Sequence, residues 1–380
     1  MTRENIHIAL PSTGEDEWQA VRGPIESGWL TQGPKVAEFE HQFALRHQSK
    51  HAIATTSCTT GLHLILAAMG VGAGDEVIIP AFTWVATANV VMYCGATPVF
   101  VDVSTDSYNS EPEEIAKCVT DKTKAIIVVH LFGLCVDIAR LRKLIPANVR
   151  IIEDAACAAG SSINGTSAGA LGDAASFSFH PRKTITTGEG GMVTTNDELL
   201  ADMISKLRNH GAEISEEQRH HGPRPHILPD FNLLGFNYRM TDMQGAVGVV
   251  QLAKLDGFIK ERVKWANFYR EQLATVEWLQ MPALPKSGTH AYQAFVTFVR
   301  ADIAPNERNS LMDQLQVMGV STRPGTHAVH MLNFYQRKFQ LSPNAFPGAK
   351  ACNDQTMAIP LHNRMTETDY AYVVDCIKAL

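Results

Sequence analysis

The sequence lacks long apolar segments, and its cysteines are not arranged in pairs. No run approaches the roughly 20 apolar residues that a transmembrane helix needs, and the N-terminal stretch MTRENIHIALPSTGEDEW lacks the apolar core of a signal peptide. The seven cysteines are scattered, and no two are spaced as a CxxC pair. We therefore expect a cytoplasmic protein with no membrane segment, no disulfide framework and no metal site.

The chain also lacks a strong excess of charge of either sign. Its 380 residues carry a net charge of -6 and contain no long basic run, so we expect no nucleic-acid partner. Hydrophobic residues make up 45% of the chain and charged residues 19%. This length and composition are typical of a globular protein that buries one large core or two cores, in two or three domains.

Short β-branched runs alternate with helix-length segments from about residue 51 to residue 195. The runs are HAIATT, EVIIP, TPVFVDV, KAIIVVHLFG and VRIIEDAA. This alternation predicts an α/β fold with a mostly parallel sheet that helices cover on both faces. In such sheets ligands bind at the carboxyl ends of the strands, so motifs at those ends should converge.

The pattern changes near residue 241. Thr241–Leu273 predicts one or two long amphipathic helices, followed by a strand in YQAFVTFV, a helix at Glu307–Met318 and a last helix near Thr366. We therefore predict a large domain over residues 1–254 and a smaller C-terminal α/β domain over residues 255–380.

Lys183 stands out in the stretch SFSFHPRKTITTGEGG. It lies between a strand-like run, Ala174–Phe179, and a loop whose glycines allow turns that other residues resist. A lysine is most often a solvated surface group. The alternative is a reactive amine directed at a ligand, and this stretch alone leaves both interpretations open.

Asp154 ends the buried-strand run Val149–Glu153, at the predicted ligand-binding edge. It can serve as the N-cap of a following helix, or its carboxylate can pair with a buried cation. The protonated ring nitrogen of pyridoxal phosphate needs such a carboxylate. A lysine amine can bind the aldehyde of the same cofactor as a Schiff base and then move protons, so Lys183 and Asp154 support each other.

A phosphate site is predicted where TTSCTTGLHL follows a strand and opens a helix. The free N–H groups of Cys58–Thr60 and the helix dipole can hold an anion, and the hydroxyls of Ser57, Thr59 and Ser178 can add donors. Serine and threonine also cap helices without any ligand. Trp84, in PAFTWVATAN, either stacks on a planar cofactor ring or packs in the core.

Eight motifs together resemble those of a known family. GWLTQGPKVAEFE, SCTTGLHL, PAFTWVATAN, FVDV, IIEDAA, SFSFHPRKTITTGEGG, RNHG and GFNYRMTDMQGAVG occur in the order and at the spacings of DegT/StrS-like sugar aminotransferases. The resemblance is strong over roughly residues 5 to 300 and looser beyond. It implies pyridoxal phosphate enzymes of fold type I, with a mostly parallel seven-stranded sheet between helices in the large domain.

The resemblance also implies roles for residues. The matching positions are Lys183 for the Schiff-base lysine, Asp154 for the ring-nitrogen partner, Trp84 for stacking, Cys58, Thr59 and Ser178 for the phosphate, and Asn237 for the phosphate of the neighbouring subunit. Active sites shared across a homodimer follow. Cys58 replaces a frequent glycine, and Cys157 replaces the glutamine or histidine near the cofactor hydroxyl. Related dehydratases carry histidine at the lysine position, so Lys183 favours transamination.

The resemblance points to L-glutamate as amino donor and to a keto sugar as acceptor. The acceptor would usually be a nucleotide-linked 3- or 4-keto hexose, aminated for surface polysaccharide or lipopolysaccharide. RHHGPRPH, Arg219–His226, followed by Arg239, can hold a diphosphate or a sugar carboxylate, or can be a solvated loop. TRPGTHAVH brings Arg323, His327 and His330 together, a cluster that can line the sugar end.

Three alternatives remain open at this stage. The acceptor can be an acidic keto sugar such as 8-keto-3-deoxy-octulosonate, which would yield an 8-amino sugar. The protein can be a non-catalytic regulator that binds pyridoxal phosphate, because fold does not fix function. A third alternative is dehydration on the same cofactor.

Overall fold

The computed structural model describes residues 5–214, 222, 224 and 226–380. Its strands are β1 His51–Thr55, β2 Glu76–Pro80, β3 Phe82–Thr83, β4 Thr97–Val101, β5 Thr123–Val129, β6 Arg150–Asp154, β7 Ser162–Ile163, β8 Thr166–Ser167, β9 Ala174–Ser178, β10 Gly191–Thr195, β11 Leu279–Gln280, β12 Phe295–Val299, β13 His327–Ala328 and β14 Thr356–Ile359. Its α-helices are α1 Glu15–Ser27, α2 Pro34–Arg46, α3 Cys58–Ala68, α4 Ala86–Tyr93, α5 Pro112–Lys117, α6 Ile138–Arg142, α7 Glu198–Arg208, α8 Asp242–Gln272, α9 Arg308–Val317, α10 Asn333–Phe339, α11 Pro347–Gln355 and α12 Glu367–Lys378.

The main sheet has seven strands in the order β1-β10-β9-β6-β5-β2-β4. Only β10 runs antiparallel to its neighbours, and the other pairings are parallel. The mostly parallel seven-stranded sheet is therefore confirmed. Gly191, the first residue of β10, pairs with both Thr55 and Ser178, so the carboxyl ends of β1 and β9 meet at one edge. Asp154 ends β6 at the same edge.

Helices cover both faces of this sheet, as the apolar strands predict. One core lies between the sheet and α3, α4 and α7, and includes Leu64, Ile79 and Ile204. On the other face, α2 and α8 pack against β9 and β10 around Phe39 and Phe177, while α5 and α6 cover β5 and β6. No helix in the described part of the chain is both long and apolar enough to cross a membrane.

A second core lies around the small sheet β11-β12-β14. Helix α8 is a single helix of 31 residues that belongs to both cores. Leu255 and Ile259 pack in the core around Phe39 and Phe177 on the large sheet, whereas Trp265 and Tyr269 pack in the core around the small sheet. The predicted division between residues 254 and 255 falls inside this continuous helix, and it stays a prediction.

Two connections bring the C-terminal region to the strand ends of the large sheet. His327 and Ala328 of β13 pair with Thr83 and Phe82 of β3. The backbone of Arg323 pairs with Ala358 of β14. The TRPGTHAVH segment therefore extends from the small sheet toward the edge that carries Asp154.

Candidate active site

Lys183 points into the protein from the turn that follows β9. Its backbone N–H donates to the His180 carbonyl at 2.8 Å, which fixes the turn. The side chain is half-buried, and Nζ lies 3.2 Å from Sγ of Cys157. Cys157 is three residues beyond Asp154, so the amine reaches the same edge of the sheet. The interpretation of Lys183 as a solvated surface residue is therefore wrong.

Asp154 is a buried carboxylate, 5% exposed, without a cationic partner in the described residues. Oδ2 accepts a hydrogen bond from the Thr87 hydroxyl at 2.8 Å, and Oδ1 accepts one from the Ala156 N–H at 3.2 Å. No helix follows β6 directly, so Asp154 is not an N-cap. Buried charges are normally paired, and this unpaired carboxylate suits a ligand that brings a positive charge.

The N-terminus of α3 lies beside these groups and has free donors. Ser57 caps the helix: its Oγ accepts from the Thr60 N–H at 3.1 Å, while the Thr60 hydroxyl accepts from the Ser57 N–H at 3.0 Å. The Thr60 N–H is therefore already used, which corrects its assignment as a phosphate donor. Within the described residues, the N–H groups of Cys58 and Thr59 have no hydrogen-bond partner and can bind an anion.

The Cys58 side chain does not face an anion. Its Sγ lies 3.4 Å from the Ser176 carbonyl oxygen and 3.8 Å from Oδ1 of Asp154. Burial, followed by the charge of Asp154, raises the pKa of this thiol well above its usual value, so the thiol stays neutral. Cys58 can therefore serve a phosphate only through its backbone N–H. Ser178, at the end of β9, is half-buried, and its Oγ accepts a long hydrogen bond, 3.4 Å, from the His180 N–H.

Gly191 permits the close contact between β10 and this helix terminus. A Cβ at position 191 would lie within 2.6 Å of Ser57 O and Cys58 N, which are backbone atoms that cannot turn away. Replacing Gly191 by alanine is expected to weaken cofactor binding about 5- to 150-fold, because such overpacking costs about 1–3 kcal/mol. Cofactor titration of the apoprotein measures this effect.

Gly257→Ala is the matched control. This glycine is an exposed residue of α8, and an added Cβ there meets nothing within 4 Å. We expect alanine there to raise stability by about 1 kcal/mol and to leave cofactor affinity unchanged. Equal cofactor affinity in both variants would contradict the proposed phosphate site at the N-terminus of α3.

Trp84 is 58% exposed, so it is not a core residue. Its ring lies 5.6 Å from the His327 ring, centroid to centroid, at an angle of 43°. The β3–β13 pairing produces this contact, because it places His327 opposite Thr83. Trp84 thus offers an exposed aromatic face at the edge of the site, as the stacking interpretation requires.

The predicted substrate residues separate into different environments. Arg323 is half-buried, and burial, followed by the charge of Arg182, lowers the pKa of its guanidinium. His330, in contrast, is fully buried: its Nε2 lies 3.1 Å from the Pro343 carbonyl oxygen, and its ring packs edge-on against Phe346. We therefore leave His330 out of the proposed substrate set.

Asn237 and Arg239 lie on the segment before α8. Asn237 is exposed, and its backbone pairs with Asn209, whose Oδ1 accepts from the Arg239 guanidinium at 2.7 Å. Their predicted contacts with a neighbouring subunit and a substrate stay predictions. In the RHHGPRPH motif, Arg219–His221, Pro223 and Pro225 lie outside the described residues.

Sequence reasoning missed two supporting groups. The Thr87 hydroxyl bonds to Asp154 and lies 3.0 Å from the Thr83 hydroxyl. Gln293, from the C-terminal region, donates through Nε2 to the Arg182 carbonyl at 2.7 Å. Thr87 lies close in sequence to the PAFTW motif, which was a weak indication of its role. No local pattern indicated a role for Gln293.

The described residues can contact each functional group of pyridoxal phosphate. The half-buried amine of Lys183 can hold its aldehyde, the unpaired carboxylate of Asp154 can face its ring nitrogen, and the two free N–H groups of α3 can hold its phosphate. Trp84 can cover its ring.

Comparisons with known proteins agree with this arrangement. The model of the DegT/DnrJ/EryC1/StrS aminotransferase family matches residues 11–378. GDP-perosamine synthase from Caulobacter vibrioides is 36% identical over 97% of this chain and 96% of the relative. Spore coat polysaccharide biosynthesis protein SpsC from Bacillus subtilis is 35% identical over 98% of this chain and 96% of the relative.

A solved structure has the same fold. The putative sugar aminotransferase Spr1654 from Streptococcus pneumoniae, in its PMP form, superimposes with a TM-score of 0.90. The match covers 99% of this chain and 97% of that chain, at 28% identity. From its sequence, its fold and its site, this chain belongs to the DegT/DnrJ/EryC1/StrS aminotransferase family.

Proposed function

We propose that this protein is a cytoplasmic sugar aminotransferase that uses pyridoxal phosphate to move the amino group of L-glutamate to a nucleotide-linked 3- or 4-keto hexose. The product would be an amino sugar for surface polysaccharide or lipopolysaccharide. The observation that carries the proposal is the placement of the Lys183 amine and the unpaired Asp154 carboxylate at one edge of the sheet. The similarity to GDP-perosamine synthase supports the nucleotide-linked acceptor.

Each residue of the site has a separate role in the proposed reaction. Pyridoxal phosphate, when bound, supplies an aldehyde that carries the amino group and a ring that accepts electrons. Lys183 would hold the aldehyde, and its free amine would move a proton at the substrate carbon. Asp154, oriented by Thr87, keeps the ring nitrogen protonated. The N–H groups of Cys58 and Thr59 anchor the phosphate, and Trp84 excludes water from one ring face.

The half-reaction with L-glutamate tests the proposed chemistry. Adding L-glutamate to the cofactor-loaded protein should convert the cofactor to its amino form and release 2-oxoglutarate, with D-glutamate as the unreactive control. Absorbance spectra follow the conversion. A protein that binds the cofactor but shows no conversion with any amino acid would instead be the non-catalytic regulator.

Asn237 is proposed to complete the site of the partner subunit in a homodimer. If so, a dimer of one Lys183→Ala chain and one Asn237→Ala chain keeps one intact site, because Lys183 and Asn237 of that site come from different chains. Dissociating and reassociating the two inactive variants as an equal mixture should restore about one quarter of wild-type activity. An assay after remixing measures this, and no recovery in confirmed mixed dimers would contradict shared sites.

An acidic keto sugar such as 8-keto-3-deoxy-octulosonate is the second candidate acceptor. Arg323 favours it, because its buried Nε has no hydrogen-bond partner within the described residues and a guanidinium can bind a carboxylate. Both acceptors can be offered to the protein after the amino form of the cofactor has been generated. The acceptor with the higher kcat/KM in this second half-reaction identifies the substrate class.

A further inference from the structure

Cys157 and Lys183 place a thiol and a primary amine in direct contact. Nζ of Lys183 lies 3.2 Å from Sγ of Cys157, and neither group has another hydrogen-bond or ion-pair partner among the residues that the structure describes. Both residues are half-buried, so the pair is not sealed from solvent. Two nucleophilic atoms are therefore adjacent at a place that a small solute can approach.

Both partners lie on turns that backbone hydrogen bonds close. The Ala158 N–H donates to the Ala155 carbonyl at 2.9 Å, which closes the turn that carries Cys157. The Lys183 N–H donates to the His180 carbonyl at 2.8 Å, which closes the other turn. The backbone thus keeps the sulfur and the nitrogen together. Only the flexible lysine side chain has to move for a bond to form between them.

Several of the other thiols are held in an unreactive form. Burial raises the pKa of the Cys94 thiol to about 11, and burial raises that of the Cys352 thiol to about 12. Burial also raises the pKa of the Cys58 thiol well above its usual value. Since the thiolate, and not the neutral thiol, is the form that reacts with oxidants, these three cysteines are poor targets.

Cys118 provides the matched comparison. It is half-buried like Cys157, but its Sγ lies 3.5 Å from the Glu114 carbonyl oxygen. The amine of the neighbouring Lys117 forms an ion pair with the Glu114 carboxylate at 2.6 Å. Cys118 therefore has similar exposure to Cys157 but no free amine in contact with its sulfur.

We propose that Cys157 and Lys183 form an oxidative modification site, at which hydrogen peroxide joins Sγ and Nζ through a covalent S–N bond. Peroxide oxidises the thiol to a sulfenic acid and is itself reduced to water. The neutral amine then attacks the sulfur and the S–O bond breaks. The hydroxyl leaves as a second water, together with one proton from the nitrogen. In all, the chain loses two hydrogen atoms and one peroxide is consumed.

The bond is reversible, because thiols exchange with oxidised sulfur. Two equivalents of a small thiol become one disulfide, and the Cys157 thiol and the Lys183 amine are restored. While the bond exists, its nitrogen cannot hold the aldehyde of pyridoxal phosphate. That consequence rests on the proposed function, whereas the crosslink itself rests on the contact between the two side chains.

The test treats the full-length, cofactor-free protein with hydrogen peroxide and digests it without reductant. Mass spectrometry should find one crosslinked pair of peptides, which contain Cys157 and Lys183 and are together lighter by two hydrogen atoms than the separate peptides. Dithiothreitol should remove the link. The fraction of protein that no longer acquires the lysine-bound cofactor absorbance should equal the crosslinked fraction. Protein loaded with the cofactor before peroxide should not crosslink.

Three variants separate the pair from other chemistry. Cys118→Ser should crosslink as wild type does. Cys157→Ser should form no link, and peroxide should not change the amount of cofactor that it binds. Lys183→Ala should also form no link, and its Cys157 should instead gain oxygen atoms, because no amine is present to attack the sulfenic acid.

Other results contradict the site. Oxidation of wild-type Cys157 to a sulfinic acid without any link overturns it, as does a disulfide between Cys157 and another cysteine. A link that keeps an oxygen atom overturns the direct S–N bond. These readouts are masses, so they stand even if the half-reaction with L-glutamate fails. Crosslinked protein that still acquires the lysine-bound absorbance would confirm the crosslink and contradict the proposed role of Lys183.

Discussion

Replacement of Lys183 by alanine is expected to abolish amino transfer and to remove the absorbance of the lysine-bound cofactor. The amine is the group that the structure directs toward the cofactor edge, 3.2 Å from Cys157. Proton transfer by a positioned side chain contributes 10² to 10⁴ in rate, and the covalent hold on the cofactor is lost as well, so kcat should fall by at least about 10⁴. Single-turnover kinetics with L-glutamate measure the loss.

Lys183→Arg is the matched variant for this test. Arginine keeps the positive charge and much of the side-chain length, but it stays protonated and cannot act as the nucleophile or base. Both variants should therefore fold, bind cofactor weakly without the lysine-bound absorbance, and be inactive. Substantial activity in either variant would show that another amine performs the chemistry.

The second large prediction concerns two adjacent carboxylates. Glu153 is expected to stabilise the fold, whereas Asp154 is expected to bind the cofactor. Glu153 is fully buried and accepts from the N–H groups of Gly169, Leu171 and Gly172. It also accepts from His130 at 2.8 Å; that ring accepts the Val136 N–H on Nδ1 and therefore carries its proton on Nε2. Asp154, one residue later, accepts from the Thr87 hydroxyl and the Ala156 N–H and has no charged partner among the residues that the structure describes.

Asp154→Asn should therefore impair function and spare the fold. The amide oxygen can still accept the Thr87 hydrogen bond. Loss of the 3.2 Å bond from the Ala156 N–H is offset because a buried charge is removed, so the free energy of unfolding of the apoprotein should change by less than about 1 kcal/mol. The lost charge can no longer stabilise a protonated ring nitrogen. We expect cofactor affinity to fall about 100-fold and the half-reaction to slow by at least as much. Urea unfolding and cofactor titration measure the two effects.

Glu153→Gln should show the opposite pattern, with a large loss of stability and little change in cofactor affinity. Its amide NH₂ would face donors that the carboxylate now accepts, so we expect a loss of about 3–5 kcal/mol in stability. Cofactor affinity of the protein that remains folded should be close to that of wild type. If Asp154→Asn destabilised the apoprotein as much as Glu153→Gln, the Asp154 carboxylate would be structural.

Much of the site could be predicted from the sequence, because position along a strand carries the information. Asp154 ends an apolar run, and Lys183 follows another run at a turn. Parallel strands bring such ends to one edge. Trp84 follows the apolar run EVIIP in the same way. These inferences need only the alternation of strands and helices.

Contacts between distant segments could not be predicted. The hydroxyl of Thr87 bonds to Asp154, and Gln293 bonds to the Arg182 carbonyl, although the partners in each pair are remote in sequence. His327 and His330 are close in sequence, but the 3₁₀ turn Val329–Met331 sends His330 into the core. The N-cap of α3 also changed the prediction. Ser57 Oγ accepts the Thr60 N–H, which the sequence had suggested as a phosphate donor.

The single long helix α8 illustrates the same limit. The sequence pattern left one or two helices open over Thr241–Leu273, and glycines within it lower helix propensity. In the structure, a Cβ at Gly245 would lie 2.7 Å from Val36 N, so the absence of a side chain lets α8 approach the backbone of α2. Packing between helices decides the outcome here, and propensity does not.

The most direct test of the account is to locate the cofactor on the chain. The protein, loaded with pyridoxal phosphate, would be reduced with borohydride, digested and analysed by mass spectrometry. We predict one reduced cofactor per chain, on the peptide that contains Lys183. A cofactor attached to a different lysine, or no attachment in a protein that still transfers amino groups, would contradict the account.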